Sequence, residues 1–97
     1  MSTFYKKIDN ISIPSIGLGT FNLKGEVCTK AVHDALEIGY RHIDTAQMYG
    51  NEEAIGQALS ETEIAREDIW LTTKIWHTDL APEKVISSFE ASLQKLQ

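Results

Sequence analysis

The sequence holds a single cysteine, Cys28, which excludes an internal disulfide framework and fits a reducing compartment, so the chain is expected to be cytoplasmic. Cys28 lies inside a helical pattern and reads as a small buried apolar residue, not a nucleophile. Basic residues are also few: nine Lys and Arg against fourteen Asp and Glu leave a formal net charge of −5. Apart from the pair Lys6-Lys7 they are scattered, which excludes the clustered cationic footprint of a nucleic-acid binder. No apolar run approaches the roughly 20 residues of a membrane span, so no membrane partner is expected. The opening MSTFYKKIDN has no apolar stretch before a small-residue cleavage site and does not read as a secretory signal. The spacings of His33, His42 and His77 match no metal motif, and Cys28 adds none. Low-complexity and Pro/Gly/Ser-rich linker segments are absent, so residues 1–97 read as part of one small domain.

What the chain does have is a repeated alternation of short apolar runs and helical patterns. After a short hairpin signalled by Ile11 and Ile13, the run from Ser15 to Thr20 reads as a strand. Its glycines, Gly17 and Gly19, mark a place where something approaches the backbone closely. From Glu26, apolar residues at Cys28, Ala31, Val32, Ala35 and Leu36 give one helical face, and Gly39 is placed to end that helix. Tyr40 to Thr45 is the second strand of the alternation. Asn51 is a suitable N-cap for a second helix bearing Ala54, Ile55, Ala58 and Leu59. Asp68 to Ile75 is the third strand, with Trp70 as core packing at its start. Pro82 opens a third helix, whose apolar face is Val85, Ile86, Phe89, Leu93 and Leu96. This α/β order signals right-handed crossovers and a parallel sheet. An open doubly wound sheet and an arc of a (β/α)8 barrel both fit, and both gather chemistry at the carboxyl ends of the strands.

Two polar groups fall at such ends. Asp44 closes the second of these strands and Lys74 lies near the end of the third; neighbouring strands about 4.8 Å apart would let them pair. Tyr49, in the intervening loop, would fold back over that pair. A phenol ionises at about pH 10, and a neighbouring ammonium held by a carboxylate favours its phenolate. Tyrosine, lysine and aspartate together suggest a general acid for a carbonyl oxygen. The plainer alternative is a structural Asp–Lys bridge with Tyr49 as a half-buried loop aromatic. His42 reads as structural and His33 as surface; the acidic tract Glu61, Glu63, Glu67 and Asp68 reads as a solvated helix end and loop.

The stretch Gly39-Tyr40-Arg41-His42-Ile43-Asp44-Thr45-Ala46, with Glu52 and Ile55-Gly56, resembles the first signature of the aldo-keto reductase family. IPSIGLGTF, YGNE and EDIWLTTKIW agree with it in order and spacing, and the resemblance covers roughly Ile11 to Gln97. Within that family the chain is most similar to short prokaryotic-type members of the 2,5-diketo-gluconate reductase kind. The resemblance implies a (β/α)8 TIM barrel, here only its N-terminal hairpin and first three β/α units, and NADPH-dependent reduction of an aldehyde or ketone to an alcohol. It implies Tyr49 as proton donor, tuned by Lys74, which Asp44 anchors. Gly19, Thr20 and Phe21, with Asp44, match positions at the nicotinamide-ribose side of the cofactor. Phe21, Met48 and Trp76 match positions lining the pocket for a small carbonyl substrate. His77 follows in a segment resembling the pocket edge and is a further substrate-contact candidate, although an exposed loop histidine is the plainer reading.

The fourth catalytic residue of the family, a histidine after the fourth strand, would lie beyond Gln97, as would the loops that hold the cofactor's pyrophosphate and 2′-phosphate. A TIM barrel takes about 250 residues, so one copy of these three units closes no barrel. The third strand is left as an apolar edge that invites self-association. The expected function is therefore carbonyl reduction by a longer enzyme, with the isolated segment inactive. The alternative is a non-catalytic truncated α/β module that self-associates or binds a partner.

Overall fold

A hairpin precedes the sheet: β1 (Tyr5–Ile8) pairs antiparallel with β2 (Ile11–Pro14), turning through Asp9 at φ 54°, a left-handed conformation that aspartate tolerates. The computed structural model describes residues 5–97. The first four residues, part of the stretch read as lacking a secretory signal, lie outside the described residues. Among the described residues no helix is long and apolar enough to cross a membrane.

Three short parallel strands follow, β3 (Leu18–Gly19), β4 (His42–Asp44) and β5 (Trp70–Thr72), in the spatial order β3-β4-β5. Their register is set by the rows Leu18–Ile43–Leu71 and Gly19–Asp44–Thr72. The helices α1 (Gly25–Ile38), α2 (Glu52–Glu61) and α3 (Pro82–Leu96) alternate with them. In space α1 packs on α2 and α2 on α3. Strand order in space thus repeats strand order in the chain, as in an arc of a barrel; a doubly wound sheet reverses direction at a switch point.

The strands are shorter than their apolar runs. Ser15 to Thr20 contributes only a two-residue ladder, Leu18–Gly19, against β4. The polar bonds continue past the ladder ends, with Thr20 N–H donating to the Asp44 carbonyl and Thr45 N–H to that of Thr72. Gly17 is a true close approach: a Cβ there would stand 3.2 Å from the His42 ring.

The core lies between the sheet and the helices. Cys28, Val32 and Leu36 of α1 meet Ile43 of β4, Ile55 and Ala58 of α2, and Leu96 of α3. Burial pushes the Cys28 thiol pKa up, which fits an inert packing role. Gly39, at φ 114°, ends α1 as its position suggested, in a left-handed conformation that costs glycine least.

Two sequence expectations are corrected here. The apolar row Ile86, Phe89 and Leu93 of α3 faces outward, each side chain at least half exposed. Of the expected face the helix buries Leu96, and with it the polar Ser92. Trp70, expected in the core, is also on the outer side. β5 is the end strand of the sheet among the described residues, so no further strand pairs with it. Leu96 and Ser92 turn towards α2, where Gly56 admits the end of α3 so closely that a Cβ would stand 2.0 Å from the Lys95 carbonyl oxygen.

Gly56→Ala should therefore destabilise the chain by about 1–3 kcal/mol, even though alanine is the better helix former by roughly 1 kcal/mol. Urea unfolding measures it; a variant as stable as the parent would show that α2 and α3 are not in this contact.

Candidate active site

β4 ends at Asp44 and Lys74 lies two residues beyond β5, so the parallel register brings both to the same edge of the sheet. The Lys74 ammonium donates to Asp44 Oδ1 at 2.6 Å. This ion pair was the expectation from sequence, and both partners are about half exposed. The Lys74 pKa is held above its ordinary value, chiefly by the hydrogen bond to Asp44. Slight burial works the other way, and the charges of Asp44 and Tyr49 add to the rise.

Tyr49 comes to the pair on a single 3-10 turn, Gln47–Tyr49, closed by Gly50 at φ 66°. Its ring lies with Lys74 Nζ 5.7 Å from the centroid, within cation–π range. Phe21 meets the ring edge-on, centroids 5.2 Å apart at 66°. The Lys24 ammonium donates to the Tyr49 backbone carbonyl from the loop after β3. Tyr49 is thus held through its backbone and its ring face, while its loop stays at the surface.

The residues matched to the cofactor divide into two kinds. Thr20 is fully buried, and both its N–H and its hydroxyl donate to the Asp44 carbonyl oxygen, at 3.1 and 3.0 Å. It fixes the peptide of Asp44 from behind. Gly19 has no atom within 4 Å of where a Cβ would stand, so the sheet edge is open above it. Phe21 projects into solvent, 64% exposed.

Met48, Trp76 and His77 line a groove of about 220 Å³ with Tyr49 and Lys74. Phe21 touches Tyr49 but does not line this groove. His77 sits on the rim against Trp76, with ring centroids 6.5 Å apart. A larger hollow of about 330 Å³ lies on the far side of Gln47, among Asp79, Lys84 and Ser88, away from the tyrosine. His42 bonds Thr72 Oγ1 at 2.9 Å and is structural. His33 links α1 to α2 through Glu61 at 2.8 Å, on the surface as read, and that hydrogen bond is the main cause of the lowered Glu61 pKa. No group of three or more potential metal ligands occurs among the described residues.

Three polar residues do more than the sequence suggested. Asn51 precedes α2 as expected, but its side chain does not cap the helix. Buried to 2% exposure, it donates to the carbonyls of Thr20 and Leu23 and accepts from Thr45 Oγ1. Glu52, 4% exposed, accepts from Thr73 and Ser92 hydroxyls. Gln47 bridges to Trp76, Ser88 and Ser92. Residue type alone offered the cap reading for Asn51 and no signal for Gln47; Glu52 stood out only within the family signature.

The raised Lys74 pKa has a defined consequence for pH. Stability from the ion pair is fully present below the ordinary lysine value of 10.5 and is lost as pH rises through the higher folded value. NMR titration of the Lys74 ε-methylene should give a midpoint above 10.5, and Asp44→Asn should bring it down. A parent midpoint at or below the ordinary value would contradict the pairing.

Comparison with known proteins supplies the family. The model of the aldo/keto reductase family matches residues 15–97. The chain is 49% identical over 87 residues to methylglyoxal reductase DkgB of Salmonella typhi, covering 90% of this chain and 33% of that protein. Among solved structures, an aldo/keto reductase from Brucella melitensis matches with a TM-score of 0.91 at 43% identity, over 99% of this chain and 37% of that one. A Bombyx mori aldo-keto reductase in complex with NADP matches with a TM-score of 0.86 at 35% identity, over 99% of this chain and 35% of that one. The chain spans about a third of the length of the curated relatives it matches. Its hairpin and three β/α units are the first part of a (β/α)8 barrel, and the chain belongs to the aldo/keto reductase family, whose members are oxidoreductases.

Proposed function

We propose that this segment supplies the proton-donating half of an NADPH-dependent carbonyl reductase, with residues 1–97 as the N-terminal part of its barrel domain. The observation that carries the reading is the Lys74–Asp44 hydrogen bond of 2.6 Å beside the Tyr49 ring, at the carboxyl edge of the sheet. A small aldehyde or ketone in the groove of Met48, Trp76 and His77 would place its oxygen near the Tyr49 hydroxyl. The phenol O–H bond breaks as the new alcohol O–H bond forms, leaving phenolate beside the Lys74 ammonium. That ammonium stabilises the phenolate, and Asp44 holds the ammonium in position. Phe21, edge-on to the phenol, limits where the ring can swing.

The open space over Gly19, beside the exposed Phe21 and the Asp44 carboxylate, fits the nicotinamide-ribose end of the cofactor. Bound there, NADPH supplies the hydride for the carbonyl carbon. Gly19, Phe21 and Asp44 would border that end of it, with Thr20 behind them fixing the Asp44 peptide. The relative solved with NADP supports this choice of cofactor. A reducing, cytoplasmic setting suits the single buried thiol.

In a reductase barrel carrying this segment, Tyr49→Phe should lower kcat by about 10²–10⁴-fold, the usual contribution of a general acid. Cofactor affinity, followed by nicotinamide fluorescence, should stay nearly unchanged. Near-normal turnover in the variant would remove Tyr49 from the role of acid.

A second reading concerns the 97-residue chain by itself, and two exposed features favour it, the apolar row Ile86, Phe89 and Leu93 of α3 and the edge position of β5 among the described strands. In that form the chain is catalytically inactive and pairs with a second copy through the β5 edge, since apolar sheet edges promote association. Light scattering should report a dimer or larger species, and titration with NADPH should show no measurable binding. A cooperatively folded monomer, or cofactor binding at micromolar concentration, would count decisively against this reading.

A further inference from the structure

Gln47 lies two residues before Tyr49, between the two loops that the proposed chemistry needs, and it bonds to the second of them through both backbone and side chain. Its N–H donates to the Lys74 carbonyl at 3.1 Å. Its side-chain Oε1 accepts from the Trp76 N–H at 2.7 Å. Because a peptide N–H can only donate, this contact fixes which way the amide faces. Nε2 is then directed to α3, where it reaches Ser88 Oγ at 2.7 Å, the Ser88 carbonyl at 3.1 Å and Ser92 Oγ at 2.9 Å. Ser88 in turn donates to Asp79, in the turn following Trp76. Gln47 therefore clamps the segment Lys74–Trp76 through its backbone N–H and Oε1, and the helix behind it through Nε2.

We propose that Gln47 is a positioning residue for the proton donor. It holds the Lys74–Trp76 segment at a fixed distance from Tyr49, so that the ammonium stays over the phenol and the Trp76 indole stays in the groove wall. The inference rests on the reductase reading for its consequence, but not for its geometry. The Asp44–Lys74 pair alone does not provide this constraint. Both of those side chains are about half exposed, and an exposed ion pair is too weak to immobilise a loop. The Gln47 bonds, made to backbone as well as to hydroxyls, restrain the main chain itself.

The test compares the isotope-labelled chain with Gln47→Met, which keeps the length and removes every side-chain hydrogen bond, and Gln47→Glu, which keeps an oxygen for the Trp76 N–H. The Ile43 and Ile55 methyl signals report the core. In Gln47→Met, exchange of the Trp76 amide should rise about tenfold, the scale of one lost hydrogen bond. The nuclear Overhauser effect between the Tyr49 ring and the Lys74 ε-methylene should fall by about half or more, a local loosening with the core signals in place. In Gln47→Glu the Trp76 amide should remain protected. Unchanged Trp76 exchange and an unchanged Tyr49–Lys74 effect in Gln47→Met would overturn the proposal. Loss of the Ile43 and Ile55 signals in both variants would also overturn it, because Gln47 would then be a general fold residue. None of these readouts involves turnover, so failure of the clamp and failure of the Tyr49 assignment are separate results.

Discussion

Parallel pairing of β4 with a neighbour on each side is the constraint on which the other features depend. The row Gly19–Asp44–Thr72 decides which residues emerge at the carboxyl edge. Slipping any strand by one residue would exchange its faces. Asp44 would then turn away from Lys74, and Ile43 would leave the core it shares with Leu36 and Ile55. The same pairing therefore orders an apolar interior and a polar edge. Stability and the candidate chemistry do not compete for these residues because alternate positions along β4 serve each.

Above the sheet, order depends on buried polar groups instead of apolar contact. Thr20 holds the Asp44 peptide, Asn51 ties the loop after β3 to Thr45, and Glu52 gathers Thr73 and Ser92. Every buried side-chain polar atom among the described residues has a partner. Such bonds are individually modest, near 1 kcal/mol net, yet leaving one partner unmatched costs more. A network of this kind tolerates little displacement, and it restrains the loops that carry Tyr49 and Lys74.

Much of this was legible in the sequence because it follows from local pattern. The α1 face and its closing Gly39 come from the 3.6-residue period and one left-handed position. The Asp44–Lys74 pair comes from two neighbouring strands ending at the same edge. Other features were not legible because their partners are remote. Asn51 has the residue type of a cap, yet the groups it satisfies lie 28 and 31 residues earlier. The period of α3 identified a helix with an apolar row; it carried no information on whether a neighbour covers that row. Gln47 has no pattern at all, since its role arises from where two loops and a helix happen to meet.

The polar ties along α3 also fix its rotation about its own axis. Ser88 and Ser92 must face Gln47 and Glu52, and turning the helix by one residue, about 100°, would leave those bonds unmade. Leucine and phenylalanine could slide on a greasy surface with little penalty; these hydroxyls cannot. The helix consequently has one phase, and its outward row of Ile86, Phe89 and Leu93 is aimed in one direction by hydrogen bonds made on a different face. The orientation of the apolar face is thus encoded by serines.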